Sequence, residues 1–168
     1  RALLRKHDIW RFSSQHSILI DSAKVGLKQI MSIIPSGPQL AVGALALKNH
    51  AVLLIRRGKA PNQGLWSLPG GRVKWGETLE AALQREVFEE TAVHIKPTEL
   101  VHHADLIERD VNGLIHYHYV ILDYLVETLS GDPHAGSDAD AAQWVQLEQL
   151  GFLQCVAGIR ELINHYAD

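Results

Sequence analysis

The 168-residue sequence has one cysteine, Cys155, so an intramolecular disulfide and a cysteine-rich zinc module are both excluded. It has no apolar run approaching the 18 or more residues that a membrane-spanning helix needs. A reducing compartment, the cytoplasm, is the expected setting. Net charge is also scarce: the formal value is −3, which gives no reason to expect nucleic acid as the main partner. Disorder and fibrous classes fit poorly, because 46% of the residues are hydrophobic and 21% charged, close to ordinary globular usage. Ten histidines exceed usual usage and leave a metal or pH role to be sought.

The small net charge conceals an uneven distribution. Residues 1–37 carry six basic side chains (Arg1, Arg5, Lys6, Arg11, Lys24, Lys28) against Asp8 and Asp21, a net of +4, and the remainder carries −7. Pro35-Ser36-Gly37-Pro38 lies at the change, and such punctuation ends a helix and starts a connector. The expected organisation is therefore a basic, partly helical extension over 1–37 and a main domain over 38–168. Leu27, Ile30, Met31 and Ile34 recur at helical spacing within the extension, with Asp21 or Ser22 as start and Pro35 as stop. The chain does not begin with Met, so a natural start upstream of Arg1 is expected.

Past the boundary the pattern changes to short strands. Leu40–Leu47 and Val52–Arg56 read as a hairpin around Lys48-Asn49-His50, and residues 58–76 read as loop. A helix is predicted from about Thr78 to Thr91. Asn112-Gly113 predicts a two-residue type I′ turn between Leu106–Val111 and Leu114–Val126, setting Glu108 opposite Tyr117 and Arg109 opposite His116. A polar loop over 130–140 leads to a strand near Trp144-Val145. Phe152 to Tyr166 reads as a final helix with Val156, Ile159, Leu162 and Ile163 on one face. Strand hairpins with separated helices make the expected class α+β.

Glu86, Glu89 and Glu90 stand at i, i+3 and i+4 on the predicted helix, which puts three carboxylates on one face. Like charges at that spacing oppose helix formation by up to ~0.5 kcal/mol per pair. A hard cation such as Mg²⁺ or Mn²⁺, which favours carboxylate oxygens, is the natural compensation.

These acids belong to a longer pattern: Gly71, Glu77 after five residues, Arg85-Glu86 after seven more, then Val87, Glu89, Glu90 and Val93. It resembles the Nudix box, G-x5-E-x7-R-E-U-x-E-E-x-G-U with U aliphatic, and departs from it only in having Ala92 where the final glycine stands. Gly64-Leu65-Trp66-Ser67-Leu68-Pro69-Gly70-Gly71 resembles the lead-in of MutT-like members. Tyr117-His118-Tyr119-Val120 and the strand ending in Trp144-Val145 resemble an ADP-ribose-pyrophosphatase-like bacterial subgroup. The similarity runs from residue 38 to about 165.

The resemblance implies a Nudix-type α/β/α sandwich around a mixed β-sheet with a catalytic loop-helix-loop. It implies hydrolysis, with Mg²⁺ or Mn²⁺, of a phosphoanhydride in a nucleoside diphosphate linked to another moiety. ADP-ribose or a related nucleotide sugar is the first expectation. A (deoxy)nucleoside triphosphate pyrophosphatase is the alternative, and a non-catalytic nucleotide-sensing module the rival class. Glu86, Glu89 and Glu90 are the implied metal ligands, with Glu89 also the candidate base. Glu77 and Arg85 orient the site, and Gly70 and Gly71 admit the metal or diphosphate. Asp138, Asp140 and Glu108 are candidates for an acid outside the box, although Ala141 occupies a position where the subgroup often carries one. Tyr117, Trp75 and His118 are the candidate substrate contacts, with Tyr119 and His116 beside them; Trp66 and Cys155 are expected to pack. A small nucleotide is the expected partner, no membrane is involved, and a homodimer is considered.

Overall fold

The computed structural model describes residues 37–136 and 138–167. The helix expected around Leu27–Ile34 lies outside them. Leu40–Leu47 is apolar without alternation, and a strand of that kind suits a position covered on both faces. It forms the central strand β1 (Gln39–Lys48), whose residues from Ala41 to Ala46 are all buried. A hairpin joins it to β2 (Ala51–Arg57), with Leu47 opposite Val52. Asn49 and His50 both have positive φ, so the two-residue type I′ turn lies here.

The remaining strands are β3 (Trp66–Ser67), β4 (Gly70–Arg72), β5 (His94–Arg109), β6 (Ile115–Ser130) and β7 (Ala139–Gln146). The seven form one mixed sheet in the order β3-β2-β1-β6-β5, with β4 also on β1 and β7 on β2. β1 and β6 run parallel and the other pairings are antiparallel. β5 pairs only with β6 among the described residues. Its register shifts at four places along the ribbon, and Pro97 lies within it.

One helix packs on each face. α1 (Leu79–Thr91) starts at Thr78, whose Oγ1 accepts from the Ala81 N–H at 3.1 Å. It buries Ala82, Leu83 and Val87 against Val42, Ala44, Ala46, Leu53 and Val126. Burying Leu83 alone is worth about 2 kcal/mol. α2 (Ile159–Tyr166) puts Leu162 and Ile163 against Leu45, Val52, Leu54 and Val145 on the other face. The sandwich is α/β/α, as expected.

Three local expectations are corrected. At Asn112-Gly113 only Gly113 has positive φ (83°), and the tip is a three-residue loop in which the Gly113 N–H donates to the Asp110 carbonyl at 3.0 Å. Asp110 Oδ1 draws the chain into this shape by accepting from the N–H groups of Asn112 and Leu114 at 2.8 and 2.9 Å. Glu108 does face Tyr117, but a bulge follows and Arg109 pairs with Ile115, not His116. The final helix does not begin at Phe152. Leu147–Phe152 is a 3₁₀ segment with Phe152 exposed. Extended residues then pair with Trp66, whose N–H donates to Gln154 and whose carbonyl accepts from Val156, both at 2.8 Å. Gly158, at φ 84°, starts α2. Cys155 is half-buried in that extended stretch, not on a helix, while Trp66 packs on the α2 core.

Candidate active site

The site is assembled where β4 and the following loop meet α1. Arg85 is its organiser. Its Nε and Nη2 donate to the two oxygens of Glu77 at 2.7 and 2.8 Å, the parallel fork that guanidinium and carboxylate geometry favours. Nη1 donates to Glu86 Oε1 at 2.6 Å and to Glu89 Oε2 at 3.2 Å, and Nη2 also reaches the Arg72 carbonyl at 3.2 Å. One side chain thus ties the 72–77 loop to the helix. The Arg85 fork, with the Lys74 N–H at 2.9 Å, pulls the Glu77 carboxyl down to about 2, and the same pairing raises Arg85.

Glu90 sits differently. Although an acid, it is buried (8% exposed), and Oε2 accepts from the Gly70 N–H at 2.8 Å. Burial pushes its carboxyl up to about 7; the Gly70 N–H opposes this and the neighbouring Glu86 adds to it. Glu86 lies over Gly71, where a Cβ would stand 2.6 Å from its carboxyl carbon, so the bare backbone at this position gives the side chain its room.

Glu86, Glu89 and Glu90, the expected ligands, do not converge on one point in this structure. Among the described residues no group of three acids or histidines stands close enough to hold a metal. The reason is in the helix: Glu90 turns inward to Gly70, while Glu89 is half-exposed between Arg85 and Lys74. Glu86 and Glu90 nevertheless fit a hard cation. They offer carboxylate oxygens, and the buried Glu90 carboxylate accepts a single hydrogen bond, from the Gly70 N–H.

Beside Glu86, a cavity of about 340 Å³ is lined by Gln39, Leu40, Arg72, Val73 and Lys74. Arg72 and Lys74 make its rim cationic, a complement to phosphate that sequence reasoning missed because both occupy unspecified positions of the box. The expected polar loop after β6 has a role that the sequence did not disclose. The His134 and Gly136 N–H groups donate to the carbonyls of Thr91 and Glu90 at 2.9 Å, closing the C-terminal end of α1.

The other candidates are scattered. Asp138 pairs with Lys59, and Asp140 lies 3.9 Å from Arg56; both are exposed ion pairs on the rim. Tyr117 and Tyr119 share a sheet face with ring centroids 5.7 Å apart, and the Glu108 carboxylate beside Tyr117 raises its hydroxyl. His118 faces the opposite side of the sheet and lies 3.3 Å from Asp105, so Tyr117 and His118 do not line one surface. His116 is exposed, and Trp75 is fully exposed in the loop. On β6, Asp123 is buried and holds His102 at 2.9 Å; burial raises its carboxyl.

Residues 37–166 match the family described as NUDIX domain. The chain belongs to that family. It is 34% identical over 113 residues to an ADP-ribose pyrophosphatase of Methanocaldococcus jannaschii, a match covering 67% of this chain and 64% of that protein. It is 50% identical over 50 residues to the human 8-oxo-dGDP phosphatase NUDT18, across 30% of this chain and 16% of that protein. Among solved structures, a MutT NUDIX hydrolase from Burkholderia pseudomallei superposes with a TM-score of 0.67 at 31% identity, covering 78% of this chain and 99% of that one. The chain thus spans less than two-thirds of the length of both named relatives.

Proposed function

We propose that this NUDIX protein is a metal-dependent pyrophosphohydrolase that cuts a phosphoanhydride in a nucleoside diphosphate linked to another moiety. ADP-ribose or a related nucleotide sugar is the first substrate. The observation that carries the reading is the Arg85 hub, which fixes Glu77, Glu86 and Glu89 while Glu90 is buried beside Gly70. The M. jannaschii relative's name supports the substrate. The MutT-type alternative, a (deoxy)nucleoside triphosphate, is favoured by the B. pseudomallei neighbour.

In this reading Glu86 and Glu90 hold Mg²⁺ or Mn²⁺, with Glu89 completing the set or serving as base once it leaves Arg85. The cation supplies charge neutralisation on the diphosphate and a water of lowered pKa. Arg85 and Glu77 keep the 72–77 loop at a fixed distance from the helix, so that the acids approach the scissile group in one geometry. Arg72 and Lys74 attract the phosphates into the cavity beside Glu86. Gly70 and Gly71 let the backbone come close, and Tyr117 offers a ring to the nucleoside. The exposed Trp75 and the oppositely facing His118 could reach substrate only after rearrangement of the 72–77 loop or around the sheet edge. The partner is a small nucleotide, the setting the cytoplasm and the working form a homodimer of domains spanning 38–168.

The test is a panel of nucleoside triphosphates, dinucleotides and nucleotide sugars with Mg²⁺ and with Mn²⁺, products read by mass spectrometry in ¹⁸O-water. Turnover that is lost in Glu90→Gln while nucleotide binding persists supports the enzyme. Tight binding with no turnover anywhere in the panel identifies a sensing module instead.

A further inference from the structure

The cavity of about 340 Å³ beside Glu86 is walled on one side by Arg72, Val73 and Lys74 and on the other by Gln39 and Leu40, at the start of β1. The first wall is fixed residue by residue. The Arg72 carbonyl accepts from Arg85 Nη2 at 3.2 Å, the Val73 N–H donates to the Leu40 carbonyl at 3.0 Å, and the Lys74 N–H donates to Glu77 Oε2 at 2.9 Å. Its backbone is thus held by α1, by β1 and by Glu77, which leaves the side chains to serve a ligand. Lys74 Nζ lies 4.0 Å from Glu89, while the Arg72 guanidinium pairs with no acid among the described residues.

The two walls differ in kind. Arg72 and Lys74 attract phosphate. Gln39 offers a carboxamide, which donates and accepts at once and so suits hydroxyl groups. Leu40, and Val73 opposite it, can cover the C–H faces of a saturated ring. Among the described residues no aromatic side chain lines the space, so nothing there stacks on a base. A bare pyrophosphate would use the cations and leave the amide and the aliphatic half of the cavity idle.

Resting on the pyrophosphohydrolase reading, we infer that this cavity seats the non-nucleoside moiety of the substrate and that this moiety is a sugar. Arg72 and Lys74 take its phosphate, and Gln39 takes its hydroxyl groups. Water adds across the P–O–P bridge: its oxygen bonds to one phosphorus, the bridging oxygen departs with the other, and its two protons pass to the phosphates or to solvent. The product left in the cavity is a sugar phosphate. Gln39 is thus a specificity residue, on a strand that lies outside the sequence pattern of the box.

The test compares ADP-ribose and ADP-glucose with the methyl ester of ADP, which has the same diphosphate charge but no second sugar, and with dATP. Turnover is measured with Mg²⁺ on the full chain. Affinity is measured by calorimetry on methylene-bridged ADP-ribose and methylene-bridged ADP methyl ester, whose P–C–P link resists hydrolysis. In the wild-type protein, kcat/KM and affinity should both favour the sugar-bearing compound over the methyl ester at least tenfold, and a nucleotide sugar should be cut faster than dATP. Gln39→Ala should reduce the sugar preference to about twofold or less. Arg72→Gln should weaken both bridged ligands about tenfold and keep the preference. Wild-type protein that cuts and binds the sugar and methyl compounds alike, or that prefers dATP, overturns the inference and leaves the enzymatic reading standing. A folded Gln39→Ala variant with its preference intact overturns it as well. Selective binding of the sugar compound with no turnover anywhere sinks the enzymatic reading alone, and no binding at all sinks both.

Discussion

Replacing Glu90 by Gln should make the metal-free protein more stable at pH 8, although it removes a residue of the candidate active site. Burial raises the Glu90 carboxyl from 4.5 to about 7. The folded state therefore keeps this proton to a higher pH than the unfolded chain does, and stability falls as pH rises from below 4.5 through 7. At about 1.4 kcal/mol per pH unit, the ionised side chain costs the fold about 3 kcal/mol above pH 7. Gln has the same shape, carries no charge, and can still accept from the Gly70 N–H. The gain in Glu90→Gln should thus approach that value at pH 8 in EDTA, roughly 10 °C in melting temperature for a domain of this size. At pH 4 the two proteins should melt together. Saturating Mg²⁺ should raise the wild-type melting temperature and leave Glu90→Gln nearly unmoved, closing the gap from the other side. Thermal and urea unfolding at both pH values measure all of this. A Glu90→Gln protein less stable than wild type at pH 8 in EDTA, or a gap that is equal at pH 4 and 8, refutes the burial argument.

Arg85→Lys keeps the charge but loses the fork on Glu77 and the branch to Glu86; turnover should drop by about 10- to 100-fold in steady-state assays with the fold intact by circular dichroism. Gly71→Ala forces Glu86 out of its place, so Mg²⁺ should no longer raise the melting temperature as it does in wild type. Ala92 closes α1 in the left-handed region at φ 57°, where a Cβ is strained, and Ala92→Gly should add about 1 kcal/mol in urea titrations.

Much of this architecture could be read from residue order. The bounds of α1 follow from Thr78 as cap and from the stripe of Leu79, Leu83 and Val87, and the cost of a non-glycine at Ala92 follows from helix termination. The β1–β2 hairpin was legible from its apolar runs. What failed did so where long-range or side-chain competition overrides local preference. Asp110 supplies two acceptor contacts that reshape the Asn-Gly tip, while the type I′ turn formed at Asn49-His50, a pair with no glycine. The start of the last helix moved because Trp66, almost 90 residues upstream, takes Gln154 and Val156 as backbone partners. The three carboxylates share a helix face as periodicity requires, but periodicity does not reveal that Arg85 engages two of them and Gly70 the third.

The outer strand β5 bears on how copies of this protein can meet. A bare strand edge is an invitation to endless lateral growth, since each added chain presents the same edge again. Here the edge is interrupted: its repeated register shifts and Pro97 break the even row of donors and acceptors that an incoming strand would have to match. An incoming strand therefore finds no regular row to extend, which disfavours open-ended lateral pairing at this edge. Straightening this strand by removing its irregularities would exchange a self-limiting surface for an open-ended one.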